Sequence, residues 1–259
     1  MIKPREFLLS IGATVNLSEA SRILGVAPYI ATRILSRWTK RGWLERVGQG
    51  IYAPNPIFSS GGVADEGFSV VSEIIGEEGY ICGWSALSHH GATEHIFIDI
   101  SLASFKWTRY KVIRLKKLKC CIFKIKSQDL IGLEVLWYQD KKVFISDIHK
   151  TILDILVNPA CGGGFTHVVD CFHSYFDSND CNIDQIFKYA KSLNVKGPFY
   201  KRLGYLLEIV GGDSLHREYC YLRKTSGYLP LDPQIKEGKF CSRWKLIIPE
   251  YIKILKGTI

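Results

Sequence analysis

The chain lacks the cysteine pattern that a disulfide framework or a zinc ribbon would need. It has 8 cysteines, but no C-x-x-C pair occurs, and only Cys120 and Cys121 are neighbours. The first residues lack the apolar run and the small-residue cleavage site of a signal peptide. No uncharged apolar stretch of about 18 residues is available to cross a membrane. We therefore expect a reduced, cytoplasmic protein with buried thiols.

Signatures of common enzyme chemistry are also missing. The glycines of the sequence ACGGG are not followed by the Gly-Lys-Ser/Thr of a P-loop. Ser85 follows a glycine at the spacing of a nucleophile elbow, but Leu87 stands where that elbow needs its second glycine. No Asp-x-Asp pair offers clustered carboxylates for Mg²⁺. These absences argue against an enzyme and predict no cofactor.

The composition is that of a basic globular protein. The 259 residues are 47% hydrophobic and 12% aromatic, which is ample for a packed core. That length corresponds to one large domain or two ordinary ones. The net charge of +9 and the pI of about 9.1 favour an anionic partner, either nucleic acid or an acidic protein surface. The charge alone does not choose between the two.

The pattern of the first 55 residues predicts three helices and a hairpin. A first helix opens at residues 5–9, and a second is capped by Asn16 or Ser18 and ends at Gly25. The third helix starts at Pro28, because proline has no N–H to satisfy at a first helical position.

That third helix is predicted to end at Gly42. Two short apolar strands then flank residues 48–50, a Gly-Gln-Gly turn typical of a hairpin.

This order of elements predicts a winged helix-turn-helix, in which the third helix lies in the major groove of DNA and the hairpin touches the backbone or a groove. Ile30, Ile34, Leu35 and Trp38 form the predicted inner face of the third helix. The residues predicted to contact DNA are polar or basic and lie on its other face, just after it or in the hairpin: Tyr29, Thr32, Arg33, Ser36, Arg37, Lys40, Arg41, Arg46 and Gln49. Because Arg33 and Arg37 are four residues apart, they project from one face and suit guanine edges. A small helical domain with a solvated basic face is the alternative interpretation.

The fold class predicted for the whole chain is α+β. Residues 1–56 are the winged helix-turn-helix domain, 57–66 a Gly- and Ser-rich linker, and 67–259 a larger mixed α/β domain. In the larger domain, helices are predicted in the sequences FSVVSEIIG, IHKTILDILVNP, THVVDCFHSYF, NIDQIFKYAKSLN and FYKRLGYLLEIVGG. The tail after residue 226 is predicted to form extended segments and turns.

Two groups of side chains in the larger domain invite a functional interpretation. His89, His90 and His95 lie close in sequence, but no carboxylate or thiolate in the pattern completes a ligand set, so no metal site is predicted. Asp147, Lys150 and Asp154 have the three- and four-residue spacing of a salt-bridged helix surface.

Residues 106–126 form a second basic region, with nine Lys or Arg residues and no acidic residue. A strand that displays such cations on one face suits RNA, DNA or an acidic partner. An edge strand that lysines keep soluble is the alternative. The candidate partner surface consists of basic residues in the first two thirds of this region: Lys106, Arg109, Lys111, Arg114, Lys116, Lys117 and Lys119.

The order of these segments resembles the AbiEi antitoxin family of bacterial type IV toxin–antitoxin systems, whose members are also transcriptional regulators. The similar segments are LSEASRILGVAPYIATRILSRWTKRGWLERVGQGIYAP, YICGWSALSHHGATEHIF, VFISDIHKTILDILVNPACGGG, RLGYLLEIVGG and YLPLDPQIKEGKFCSRWKLIIP. Two departures are Ala27-Pro28 at the start of the third helix and the double histidine before Gly91.

The resemblance implies an N-terminal domain that binds inverted repeats in its own promoter and represses it. It also implies a C-terminal domain that counteracts a nucleotidyltransferase-type toxin, without a stable complex being required. A winged-helix regulator with a ligand- or RNA-binding C-terminal domain and no toxin partner is the alternative.

Overall fold

A computed structural model describes residues 4–250 except 13, 42, 55–70, 72, 96, 98, 108, 110, 116–117, 139–140 and 236. The chain forms two compact units. The first comprises Met1–Ile81, Ile98–Ile125 and Val135–Ile145, and the second comprises Cys82–Phe97, Lys126–Glu134 and Ser146–Ile259. The linker and the domain boundaries expected near residues 56 and 67 lie outside the described residues and stay a prediction.

The helices of the described residues are short to medium in length. In chain order they are α1 (Pro4–Ser10), α2 (Leu17–Leu24), α3 (Pro28–Lys40), α4 (Gly83–His89), α5 (Ile148–Val157), α6 (Phe165–Phe176), α7 (Ile183–Ser192), α8 (Gly197–Ile209) and α9 (Ser214–Arg223). None of them combines the length and the apolar character that a membrane crossing requires.

Within the part of the chain that the structure describes, the strands form three sheets. In chain order they are β1 (Val15–Asn16), β2 (Leu44–Gly48), β3 (Ile51–Pro54), β4 (Gly79–Ile81), β5 (Ile100–Ser104), β6 (Lys111–Leu115), β7 (Leu118–Lys124), β8 (Leu133–Tyr138), β9 (Lys141–Ser146), β10 (Leu229–Pro230), β11 (Lys239–Cys241) and β12 (Leu246–Ile248). The sheet orders are β1-β3-β2, β6-β7-β5-β4-β9-β8 and β10-β12-β11.

The N-terminal helices and the first sheet share one hydrophobic core within the first unit. Phe7, Val15, Ala31 and Leu35 are fully buried in it, and Trp38 packs against Phe7 with ring centroids 5.1 Å apart. Burial of these side chains fixes which side of α3 faces inward, so it also decides which side chains of α3 face solvent.

The six-stranded sheet is mixed. Strands β5 and β7 run parallel, whereas β6 and β7 are antiparallel and pair Arg114 with Lys119. Strand β6 is the last strand in the sheet order. An edge strand that lysines keep soluble was the alternative interpretation of this basic region.

In the second unit, buried residues line most of α8. The guanidinium of Arg202 on this helix is buried and donates to the carbonyl oxygens of Leu156, Val157 and Leu231. These bonds satisfy a buried charge and tie α8 to the end of α5 and to the chain after β10.

The sequence predicted a mixed α/β structure with helices and strands at its N-terminus, and the described residues have these elements. All eight cysteines are unbridged, and six of them are buried while Cys181 and Cys241 are partly exposed. Helix α9 was not predicted, because Cys220 is its only fully buried residue and Leu215 and Leu222 face solvent.

One sequence-based interpretation is wrong. Lys150 does not lie on a salt-bridged surface: it is 1% exposed and forms an ion pair with Asp154. Asp147 has a second role at the start of this helix. It caps α5 by accepting the Lys150 backbone N–H at 2.7 Å, and it also accepts the Tyr189 hydroxyl at 2.5 Å. These carboxylates therefore support the fold of the second unit.

Candidate nucleic-acid interface

The turn between α2 and α3 is built from local signals. The Asn16 side chain accepts the backbone N–H of Glu19 at 2.9 Å, so Asn16 is the cap of α2. Gly25 ends the helix with φ +63°, a left-handed conformation that glycine adopts without strain. The Ser21 hydroxyl donates to the Val26 carbonyl at 2.5 Å and closes the turn. Together these contacts set the direction in which α3 starts.

Helix α3 has no side-chain cap, since Ala27 occupies the N-cap position and Pro28 follows it. The Thr32 hydroxyl donates to the Pro28 carbonyl at 2.9 Å. This hydroxyl is therefore engaged within the first turn, which leaves Thr32 an acceptor lone pair and a methyl group to offer outward.

The outward side of α3 carries the side chains that the sequence predicted for DNA contact. Tyr29 is 69% exposed. The polar and basic residues that follow it are also exposed: Thr32, Arg33, Ser36, Arg37, Lys40 and Arg41. Within the described part of the chain, no carboxylate forms an ion pair with Arg33 or Arg37. The two guanidinium groups thus present their donors to solvent on one face of α3.

Strands β2 and β3 form the hairpin that was predicted after α3. Gly50 lies in the turn with φ +74°, and the register shifts between Arg46 and Gly48. Arg46 Nε donates to the Gly48 carbonyl at 3.2 Å, and Gln49 is exposed at the tip. The hairpin therefore ends in one exposed cation and one exposed amide.

The hairpin tip lies beside β6 in the first unit. Residues 46–49 and 111–114 line a groove of about 430 Å³, which we call the hairpin–β6 groove. Burial lowers the pKa of Lys111, and the positive charges of Arg109 and Arg46 lower it further. Lys111 Nζ lies 3.7 Å from the centroid of the Trp107 ring. The groove thus brings several positive charges together, and a bound anion would reduce the repulsion between them.

The other residues of the predicted partner surface differ in whether an acidic side chain of the fold pairs with them. Lys106 lies 3.4 Å from Glu78, and Lys119 forms an ion pair with Asp99. Lys116 and Lys117 lie outside the described residues. Arg109 and Arg114 are exposed. The basic region is therefore divided into cations already paired within the fold and cations that face solvent near the hairpin.

The histidines do not form one cluster. The rings of His95 and His167 lie 4.8 Å apart, and the Thr93 hydroxyl lies 2.6 Å from His167 Nε2. Burial lowers the pKa of His167. His89 and His90 instead approach Glu134, with one potential ligand atom of each residue within 4.8 Å of the others. Sequence reasoning missed this carboxylate because it lies on β8, far along the chain from both histidines.

Comparison with known proteins finds a similarity in the N-terminal segment. Residues 4–55 match a family model of transcriptional regulators. That family is described as "Transcriptional regulator, AbiEi antitoxin", which confirms the resemblance found in the sequence. The match concerns residues 4–55 alone, and it makes this segment similar to transcriptional regulators of that description. No curated protein matches the chain.

One solved structure supports the fold over the whole length. The crystal structure of the RV2827C protein from Mycobacterium tuberculosis is similar with a TM-score of 0.62 and 14% sequence identity. The similarity covers 98% of this chain and 92% of that one. At this level of identity the likeness concerns the fold alone.

Proposed function

We propose that α2, the turn at Gly25, α3 and the β2–β3 hairpin act as a winged helix-turn-helix that binds duplex DNA. One observation carries the proposal: within the segment that matches a family of transcriptional regulators, the outward side of α3 presents Arg33 and Arg37 without an acidic partner among the described residues. A helix of this kind enters the major groove, where guanidinium groups bind guanine in a bidentate manner.

The remaining side chains have distinct roles in this proposal. Tyr29, Thr32 and Ser36 lie next to the arginines and contact bases or sugar, with the Thr32 methyl suited to thymine. Lys40 and Arg41 at the end of α3 contact phosphates, as do Arg46 and Gln49 at the hairpin tip. Phosphate contacts set the register of the helix, whereas base contacts supply specificity.

We further propose that the chain represses its own promoter at inverted repeats and counteracts a nucleotidyltransferase-type toxin. The family match over residues 4–55 and the basic character of the first unit support this proposal. An inverted repeat contains two half-sites, so two copies of the chain bind one operator.

The test uses the full chain. A duplex from upstream of its own gene should bind in a mobility-shift titration more tightly than a shuffled duplex at the same salt concentration. If the adjacent gene encodes the toxin, cells that express this gene alone should stop growing. Coexpression of the full chain should then restore their growth. DNA binding without rescue by any adjacent gene would instead support the regulator that has no toxin partner.

The hairpin–β6 groove gives a separate prediction. If DNA phosphates enter the groove, Arg114→Ala weakens binding to specific and unrelated duplexes alike. The slope of log K against log salt should then become shallower by about 0.9 for each phosphate that the variant no longer neutralises. Arg243→Ala is the matched control, because Arg243 is exposed in the second unit and pairs with Glu208 at 3.4 Å. An unchanged salt slope for Arg114→Ala would restrict DNA contact to α3 and the hairpin.

A further inference from the structure

The second unit brings together two imidazoles and one carboxylate that no role described so far uses. His89 is the last residue of α4, His90 follows it, and Glu134 lies near the start of β8. One potential ligand atom from each lies within 4.8 Å of the other two. His89 and Glu134 are exposed and His90 is half-buried, so a dissolved ion has access to all three.

Hydrogen bonds to backbone carbonyls hold the segments that carry these residues near one another. The Asp147 N–H donates to the Gly132 carbonyl at 2.8 Å, two residues before Glu134. His90 Nε2 lies 2.8 Å from the Ser146 carbonyl, one residue before Asp147. The end of α4 and the start of β8 are therefore both anchored to the segment 146–147, which positions the cluster before any ligand arrives.

The bond to Ser146 also selects the tautomer of the neutral His90 ring. A carbonyl oxygen only accepts, so Nε2 of His90 carries the proton and Nδ1 of the neutral ring keeps its lone pair. Metal-binding histidines commonly donate their second N–H to a backbone carbonyl in this way, which orients the ring and raises its basicity. If His90 keeps this bond, it would coordinate a metal through Nδ1.

The other two side chains are uncommitted within the described part of the chain. The His89 ring contacts the His90 ring at a centroid distance of 5.1 Å, and no hydrogen bond or ion pair with a described residue engages it or the Glu134 carboxylate. We propose that His89, His90 and Glu134 bind a divalent transition metal, with Zn²⁺ as the ion that fits best. Two imidazoles and a carboxylate are zinc ligands, whereas Ca²⁺ and Mg²⁺ prefer oxygen alone. Because three ligands leave a tetrahedral position open, a water or a side chain of a partner completes the site.

The experiment titrates metal-free full chain with Zn²⁺ against a chromogenic chelator. We expect one tight site per chain, and we expect Glu134→Gln and His89→Ala each to weaken it at least about tenfold. Glu134→Gln keeps the size of an exposed side chain, so it should fold normally, which far-ultraviolet circular dichroism checks. His95→Ala is the matched control, because His95 packs beside His167 instead.

A second measurement separates this site from the cysteines. Co²⁺ bound to nitrogen and oxygen ligands gives visible d–d bands without the sulfur-to-cobalt charge-transfer band of a thiolate site. That spectrum, abolished in Glu134→Gln and kept in His95→Ala, would support the proposal. Absence of Zn²⁺ binding, a thiolate band, or equal affinity in His89→Ala and the unmodified chain would overturn it.

Discussion

Replacing Arg33 by alanine is expected to weaken binding to operator DNA by about 1–3 kcal/mol, and replacing Arg37 should do the same. Each guanidinium supplies two donors in the geometry of the guanine edge, and alanine supplies none. A mobility-shift or anisotropy titration at fixed salt measures this effect as roughly a five- to 150-fold change in affinity. The effect should be larger on the operator than on unrelated DNA, because a base contact carries specificity.

Two further variants serve as comparisons for Arg33→Ala and Arg37→Ala. Lys40→Ala removes a proposed phosphate contact, so it should weaken all duplexes similarly and make the salt dependence shallower. Arg223→Ala is the control for removal of an arginine charge, because Arg223 stacks on Tyr219 at 3.5 Å in the second unit. If Arg33→Ala binds the operator as tightly as the unmodified chain, α3 does not read bases through the face proposed above.

The elements around α3 were predictable because their signals are local. A cap at Asn16 or Ser18, of which the structure uses Asn16, Gly25 as a left-handed turn and Pro28 as a first helical residue each act within a few positions of the chain. The apolar spacing of Ile34, Leu35 and Trp38 follows the helical period, so the outward face of α3 follows from it as well.

The features that sequence reasoning missed depend on contacts between distant segments. Glu134 joins His89 only because β8 and α4 are both held by residues 146–147. Arg46 approaches Lys111 only because the hairpin lies beside β6.

Lys150 shows a different limit, because spacing alone does not reveal burial. A Lys–Asp pair at positions i and i+4 has the same sequence pattern whether it is exposed to solvent or buried in a core, and only the fold shows that Lys150 is buried. Motifs at helix ends and turns can therefore be predicted from the sequence, whereas clusters of residues from distant segments cannot.

Trp38→Ala is expected to lower the free energy of unfolding of the N-terminal core by about 3–5 kcal/mol. Trp38 is 6% exposed and packs against Phe7, so its removal leaves a cavity under the helix proposed to enter DNA. A domain is typically stable by only about 5–15 kcal/mol, so this change populates forms in which α3 is no longer held. Operator binding should fall as a consequence of unfolding, and lower temperature should partly restore it.

Tyr29→Ala separates this structural effect from the removal of a DNA-binding side chain. It removes an aromatic ring from the same helix, but because that ring is 69% exposed, stability should change by no more than about 0.5 kcal/mol. Urea denaturation followed by far-ultraviolet circular dichroism, with hydrogen exchange at the α3 amides, measures both variants. Equal midpoints and equal exchange for Trp38→Ala and Tyr29→Ala would mean that Trp38 does not anchor α3. A lower midpoint for Trp38→Ala alone, with DNA affinity reduced in both, would show that the inner face of α3 holds the helix and its outer face binds DNA.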